Sequence, residues 1–137
     1  MKNSIFIIIF TIISFGILCF SCEKKKETAI EDFWYINNSS MAVSITYYYD
    51  GLENSVTILR GDSIIQTQIT PDINRNIIIN ADSAILVFDD SKQIFYSKNQ
   101  IEEKNILKLS NYDYQKIKDM QHQYKYVLSD DDYNAAE

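Results

Sequence analysis

The stretch that decides the fold is AVSITYYYDG, at residues 42–51. From 43 to 49, apolar and aromatic side chains at odd positions alternate with Ser44, Thr46 and Tyr48 at even positions. A period of two predicts a half-buried β-strand. Asp50 and Gly51 follow as a turn pair, because both tolerate positive φ. We therefore predict a β-hairpin over 42–59, with its second strand at 55–59 (SVTIL) and a loop of several residues between the strands.

The same alternation continues on both sides of this hairpin. Further strands are predicted at 32–37 (DFWYIN), 63–69 (SIIQTQI), 83–88 (SAILVF), 93–97 (QIFYS) and 121–128 (QHQYKYVL), with shorter apolar candidates at 77–79 and 105–109. Turns recur about every ten residues, and no long amphipathic helix separates the strands. The predicted fold class is therefore mostly all-β: a small immunoglobulin-like β-sandwich of about seven to eight short strands.

Two short helices are also predicted. Residues 112–120 (YDYQKIKDM) have a weak helical period, with Tyr114, Ile117 and Met120 on one side. Near the end, Ser129 is followed three residues later by Asp132, which resembles a capping box and predicts a short C-terminal helix over 130–136. We expect Tyr133 to pack back on the sandwich.

Composition limits the function classes. The 137 residues suffice for one domain. The chain has three Gly, too few for a glycine-rich phosphate-binding loop. Its two Cys and one His provide few ligands for a Cys/His metal cluster. Of the charged residues, only Lys2 precedes Cys22, so a chain beginning at Cys22 has 12 basic and 19 acidic side chains, a net charge of −7. An acidic chain with no basic stripe argues against a nucleic-acid partner.

The N-terminus is typical of an export signal. Lys2 precedes an apolar run over 5–20, which is shorter than the ~20 residues that a membrane-spanning helix needs. The run ends in LCFSC at 18–22, which resembles the lipobox of bacterial lipoproteins, with Ser21 as the small residue before the lipidated Cys22. Cys19 stands where that family usually has Leu. The alternatives are a plain secretory signal and an uncleaved membrane anchor.

The lipobox resemblance implies three segments: a signal peptide at 1–21, cleaved between Ser21 and Cys22; a lipid-anchored flexible tether at 22–31; and the β-sandwich domain at 32–137. In that family the equivalent cysteine carries two or three acyl chains such as palmitate, so the resemblance implies durable membrane attachment through Cys22. A protein with a single acyl chain binds membranes only marginally. The domain would then contain no thiol and no disulfide.

Candidate functional residues are few. Trp34 and Tyr48 each alternate with aromatic neighbours, so either can face outward and anchor a partner. His122 is the single imidazole, and a small envelope hydrolase would pair it with a nearby carboxylate. No G-x-S-x-G elbow accompanies it. The stretch DINRN at 72–76 begins like a calcium loop, but Ile77 occupies the position that requires Gly. We expect no catalytic residue, no metal and no cofactor.

Several stretches together are similar to a group of small lipoproteins from Bacteroidota-type Gram-negative bacteria: 37–51, 61–63, 86–96, 105–107 with 111–112, and 124–135. The resemblance implies a compact β domain anchored in the outer membrane, and it transfers no site. Because Glu23 is followed by three lysines, the periplasmic face is favoured over the cell surface. The predicted function is a non-enzymatic binding or accessory module of the envelope, whose partner is an envelope protein or a glycan. The alternatives are the hydrolase and a purely structural lipoprotein.

Overall fold

The computed structural model describes residues 27–72, 74, 76–101 and 103–137. The predicted signal peptide, Ser21, Cys22 and most of the tether therefore lie outside the described residues. Eight strands and one short α-helix make up this part of the chain: β1 (Ala29–Asn37), β2 (Val43–Tyr49), β3 (Leu52–Ile58), β4 (Ser63–Thr70), β5 (Ser83–Phe88), β6 (Lys92–Ser97), β7 (Asp113–Lys118), β8 (Gln121–Leu128) and α1 (Asp130–Ala135).

The strands form two four-stranded sheets. The first sheet has the order β4-β1-β8-β7, and the second has the order β3-β2-β5-β6. Neighbouring strands are antiparallel, except that β1 and β8 run parallel. The mostly-β sandwich with a short C-terminal helix confirms the predicted fold class. Strand β1 lies inside the first sheet, and this central position determines what surrounds Trp34.

The core follows directly from the alternation in the sequence. Along β2 the odd-numbered residues from Val43 to Tyr47 are buried, and along β5 the even-numbered residues are buried, so the two strands contribute the same inward face. The first sheet adds Phe33, Tyr35 and Leu128 to this core. Each fully buried large apolar side chain stabilises the fold by about 1.5–3 kcal/mol relative to remaining exposed.

The hairpin between β2 and β3 has a tighter turn than the sequence predicted. Asp50 and Gly51 both have positive φ, at 50° and 77°, and β3 begins directly afterwards at Leu52. Two consecutive left-handed residues suit the right-handed twist of the strands that they connect. The predicted loop of several residues is therefore wrong, and residues 52–54 belong to the sheet.

Three local predictions are also corrected. Residues 77–79 are not a strand: Ile77 and Ile78 fill the core around a 3-10 turn at Ile78–Asn80. Residues 105–109 are not a strand either: 105–107 are a buried loop, in which the Asn105 side chain bonds the carbonyl of Ser97 at 2.8 Å, and the exposed Leu109 begins a 3-10 turn. The first strand begins at Ala29, before the expected boundary at residue 32. Burial of apolar residues thus does not require them to lie in strands.

The predicted helix at 112–120 is instead strand β7, paired antiparallel with β8. The helical period was weak, and pairing with β8 satisfies the backbone of this segment. The register shifts between Lys116 and Lys118, which leaves Ile117 as an irregularity in the strand. Local propensity was overridden by a tertiary hydrogen-bonding partner.

The structure confirms the predicted short C-terminal helix. Asp132 accepts a hydrogen bond from the backbone N–H of Ser129 at 2.8 Å, which completes the capping box. Tyr133 packs edge-on against Phe88, with ring centroids 6.0 Å apart. After the helix, Gln93 and Glu137 exchange two backbone hydrogen bonds. These contacts fasten the end of the chain to the second sheet.

Candidate functional site: the outer face of the first sheet

Trp34 lies on the outer face of the first sheet. Its neighbours along β1, Phe33 and Tyr35, point inward and are buried, so strand alternation sends the indole to the opposite side. Across the sheet, Trp34 is in register with Ile65 of β4 and Lys125 of β8. A side chain on a central strand is flanked on both sides, and Trp34 is accordingly half-buried.

Other apolar side chains share this surface. Ile65 is 50% exposed and pairs directly with Trp34, while Val127 is 39% exposed and pairs with Ile36. Ile30 and Ile69 form another exposed cross-strand pair on the same face. We call the combined surface the Trp34 face; it comprises Ile30, Trp34, Ile36, Ile65, Ile69 and Val127.

A polar row crosses the Trp34 face between its apolar pairs. Asp32 accepts a hydrogen bond from the Thr67 hydroxyl at 2.7 Å, and Gln121 donates to its other carboxylate oxygen at 3.4 Å. Because these groups are satisfied within the sheet, they need little reorganisation when the surface is covered. Apolar anchors beside satisfied polar groups are typical of a protein interface.

The indole N–H of Trp34 is buried and has no hydrogen-bond acceptor among the described residues. The polar edge of the ring is therefore turned away from solvent. What Trp34 presents outward is apolar ring surface, and a partner would gain mainly from burying that surface.

Tyr48 lies on the opposite outer face, on the second sheet, in register with Glu53 of β3 and Ser83 of β5. Partial desolvation, followed by the hydrogen bond and negative charge of Glu53, raises the pKa of Tyr48. Hydroxyl pairs such as Ser44 and Thr57, 2.9 Å apart, occupy the same face. The structure therefore does not bring the two predicted aromatic residues together, and they belong to different surfaces.

His122 lies on the β7–β8 hairpin. Its Nδ1 is 2.9 Å from the hydroxyl of Tyr114, and the two rings stack with centroids 5.8 Å apart. The hydrolase hypothesis needs a carboxylate to orient this imidazole, and the observed partner of Nδ1 is a phenol. Surface depressions of about 470 and 310 Å³ lie beside β6 and α1, and His122 lines neither of them.

No group of three or more His, Cys, Asp or Glu side chains that could hold a metal ion occurs in the described part of the chain. The stretch at 72–76 is only partly described. There, Asn74 bonds the backbone N–H of Asn76 at 3.0 Å, and the carbonyl of Asn76 accepts a hydrogen bond from the Tyr47 hydroxyl at 2.9 Å. These contacts are those of a loop that closes the sandwich.

Reasoning from the sequence found Trp34 but missed the aliphatic residues around it. One signal was present: Ile64 and Ile65 are adjacent apolar residues in a predicted strand, so one of them must face outward. In the structure Ile64 packs against the core and Ile65 is exposed. The pairing of Ile65 with Trp34 depended on sheet order, which the alternation does not reveal.

No family model, curated protein or solved structure matches this chain significantly. A function for this chain can therefore be argued only from its N-terminal sequence and from the surfaces described above.

Proposed function

We propose that this protein is a lipid-anchored binding module of the bacterial cell envelope, which holds a partner protein on the Trp34 face. The observation that carries the proposal is the cross-strand pairing of Trp34 with Ile65, in a surface continued by Ile36 and Val127. Contiguous apolar surface with polar surroundings is a mark of interaction sites, whereas single exposed apolar residues need no explanation.

A protein fits this surface better than a small molecule does. Small-ligand sites are concave and enclose most of the ligand. The Trp34 face is instead the outside of a sheet, and its side chains come from three neighbouring strands, β4, β1 and β8. Interfaces between proteins are enriched in Trp, and a few such residues account for most of the binding free energy.

The membrane location in this proposal rests on the N-terminal sequence. The apolar run, Ser21 and Cys22 together resemble a lipobox, and acyl chains on Cys22 would retain the domain at the membrane. Within the described residues, no helix has both the length and the apolar character needed to span a bilayer. In this proposal the attachment is the acylated Cys22, so Cys22→Ala should release the protein from the membrane fraction.

The test is affinity capture of the acylated protein from native membranes, followed by identification of what is retained. Trp34→Ala and Ile65→Ser should each reduce capture of the same partner, by about 30-fold for a loss of about 2 kcal/mol at a hot-spot Trp. Tyr48→Ala is the matched control, because it removes a half-buried aromatic side chain from the opposite face. Capture by the control should equal that of the wild-type protein.

The outcomes separate the hypotheses. If Trp34→Ala, Ile65→Ser and Tyr48→Ala all retain the partner equally, the Trp34 face is not the binding surface. If Tyr48→Ala alone loses the partner, the second sheet carries the site. If the wild-type protein retains no specific partner, the purely structural lipoprotein becomes the better explanation. Denaturant unfolding of each variant checks that lost capture does not reflect lost folding.

A further inference from the structure

The β7–β8 hairpin is the most exposed part of the first sheet. All six residues of β7 are exposed, and the first five residues of β8 are only half-buried. Ile117 in the strand irregularity is 47% exposed, and Met120 in the turn is 38% exposed. Two apolar side chains thus lie in solvent at the tip of a hairpin, where burial in the sandwich is not available to them.

This tip lies beside the point where the chain enters the domain. The backbone N–H of Ile30 donates to the carbonyl of Met120 at 2.8 Å, and Ile30 is in register with Gln121. The parallel pairing of β1 and β8 places the beginnings of both strands at the same end of the sheet. The opposite end of β1, at Asn37, is about 26 Å away at 3.3 Å per residue.

The sequence limits how far this end can lie from the proposed anchor. Ala29, where β1 begins, is seven positions after Cys22, and a fully extended chain of seven steps spans at most about 25 Å. Any shorter conformation brings the domain closer. The hairpin tip therefore remains within reach of the membrane that holds the acyl chains, whatever path the tether takes.

The chemistry of the tip matches the interface of a bilayer. Lys116 and Lys118 flank Ile117, and Lys116 forms an ion pair with Asp119 at 2.7 Å. Apolar side chains can enter the boundary between headgroups and acyl chains, while the flexible stems of lysines keep their ammonium groups at the phosphates. The sequence adds three further lysines at 24–26, shortly before the start of β1.

We infer that the β7–β8 hairpin tip docks in the headgroup layer of the membrane that carries the lipid anchor, with Ile117 and Met120 inserted. This inference rests on the proposed lipid attachment at Cys22. The partner that contacts the tip is membrane lipid, because the tether keeps the tip within reach of the bilayer at all times. Docking would orient β1 away from the bilayer. Trp34 is five residues after the start of β1 at Ala29, so at a rise of 3.3–3.4 Å per residue it would lie about 17 Å along the strand from the docked end. Trp34, Ile65, Ile36 and Val127 would then stand clear of the membrane, whereas Ile30 and Ile69 lie at the docked end of the Trp34 face.

Site-specific labelling of the full acylated chain tests this inference. If Cys19 leaves with the signal and Cys22 is a thioether, the wild-type protein has no reactive thiol, and Ile117→Cys or Met120→Cys introduces a single one. Each variant is labelled with an environment-sensitive fluorophore and reconstituted into vesicles of phosphatidylethanolamine and phosphatidylglycerol. Leu59→Cys is the control, because Leu59 is 60% exposed and lies beside the far end of β1.

We expect the labels at 117 and 120 to shift to shorter emission wavelengths and to be quenched by lipids that carry a nitroxide on the acyl chain. The label at 59 should show neither change. Equal quenching at all three positions, or none, overturns the inference while the anchor stands. A wild-type protein that reacts with a thiol reagent, or that does not remain with the vesicles, overturns both the anchor and the docking. Unchanged emission of Trp34 confirms that the labelled variants are folded.

Discussion

Asn37 provides a sharp test of how the two sheets are joined. The side chain is completely buried at the end of β1. Its Nδ2 donates to the carbonyls of Met41 at 2.7 Å and Ile58 at 2.9 Å. Its Oδ1 accepts from the backbone N–H and the hydroxyl of Ser39, at 3.0 and 2.6 Å. One amide therefore links β1, the connection to β2 and the end of β3, with both of its donors and its acceptor in use.

Asn37→Asp removes the Nδ2 hydrogen-bond donor while it keeps the shape of the side chain. The carboxylate oxygen that replaces Nδ2 cannot donate, so the carbonyls of Met41 and Ile58 lose this donor and face a negative charge. The Ser39 hydroxyl lies 3.0 Å from the Met41 carbonyl and can replace that donor, so the Ile58 carbonyl is the acceptor left without one. Leaving a buried acceptor without its donor costs about 1–3 kcal/mol, which is the expected loss in the free energy of unfolding. A domain of this size is stable by about 5–15 kcal/mol, so the change should be large enough to measure.

The measurement is urea-induced unfolding followed by the fluorescence of Trp34. Asn38→Asp is the matched control, because it makes the same chemical change at the next position, where the side chain is exposed. The control should alter the free energy of unfolding by less than about 0.5 kcal/mol. If Asn37→Asp proves as stable as Asn38→Asp, the Asn37 side chain does not hold the sheets together in the way described.

Two predictions concern pH. Burial raises the pKa of three tyrosines above the ordinary value of about 10, so the folded state resists their ionisation and stability should fall as the pH rises above about 10; they are Tyr35, Tyr112 and Tyr126. Absorbance of tyrosinate should rise together with the loss of circular dichroism, and ionisation of all ten tyrosines with the fold intact would contradict this. Hydrogen bonds from the backbone N–H of Ser40, at 2.7 Å, and from its hydroxyl, at 2.8 Å, lower the pKa of Asp130. Its stabilising effect should be complete above the ordinary carboxyl pKa of about 4 and be lost as the pH falls through the lowered value. Unfolding measured at pH 6 and pH 3 should show Asp130→Asn losing less stability on acidification than the wild-type protein does, with the exposed Asp131→Asn variant behaving like the wild type.

The two proposed contacts use different parts of the first sheet. The hairpin tip at the beginning of β8 faces the tethered end, whereas the Trp34 face lies along the outside of β4, β1 and β8. A domain held at one end and open along one face can meet a partner within the envelope without leaving the membrane. The two proposals are tested independently, because the capture variants and the labelled positions share no residue.

Local pattern was sufficient to give the bounds of three strands. Strands β2, β5 and β8 have the bounds that the sequence predicts, because period-two alternation cannot shift by one residue without exposing the core. The C-terminal helix was equally readable, since its capping box is a contact between residues only three apart, Ser129 and Asp132. Alternation also places Trp34 and Tyr35 on opposite faces of their strand, but it does not say which of the two faces outward.

Other features were decided only by partners distant in the sequence. Residues 113–118 form a strand because β8 is available to pair with them, and Ile77 and Ile78 fill the core without belonging to a strand. The separation of Trp34 and Tyr48 onto opposite faces depends on which sheet each strand joins. Alternation assigns every side chain a face of its own strand, but it contains no information about the neighbouring strand. That choice is made by burial and backbone hydrogen bonding across the whole domain, and it determines which surface is left for a partner.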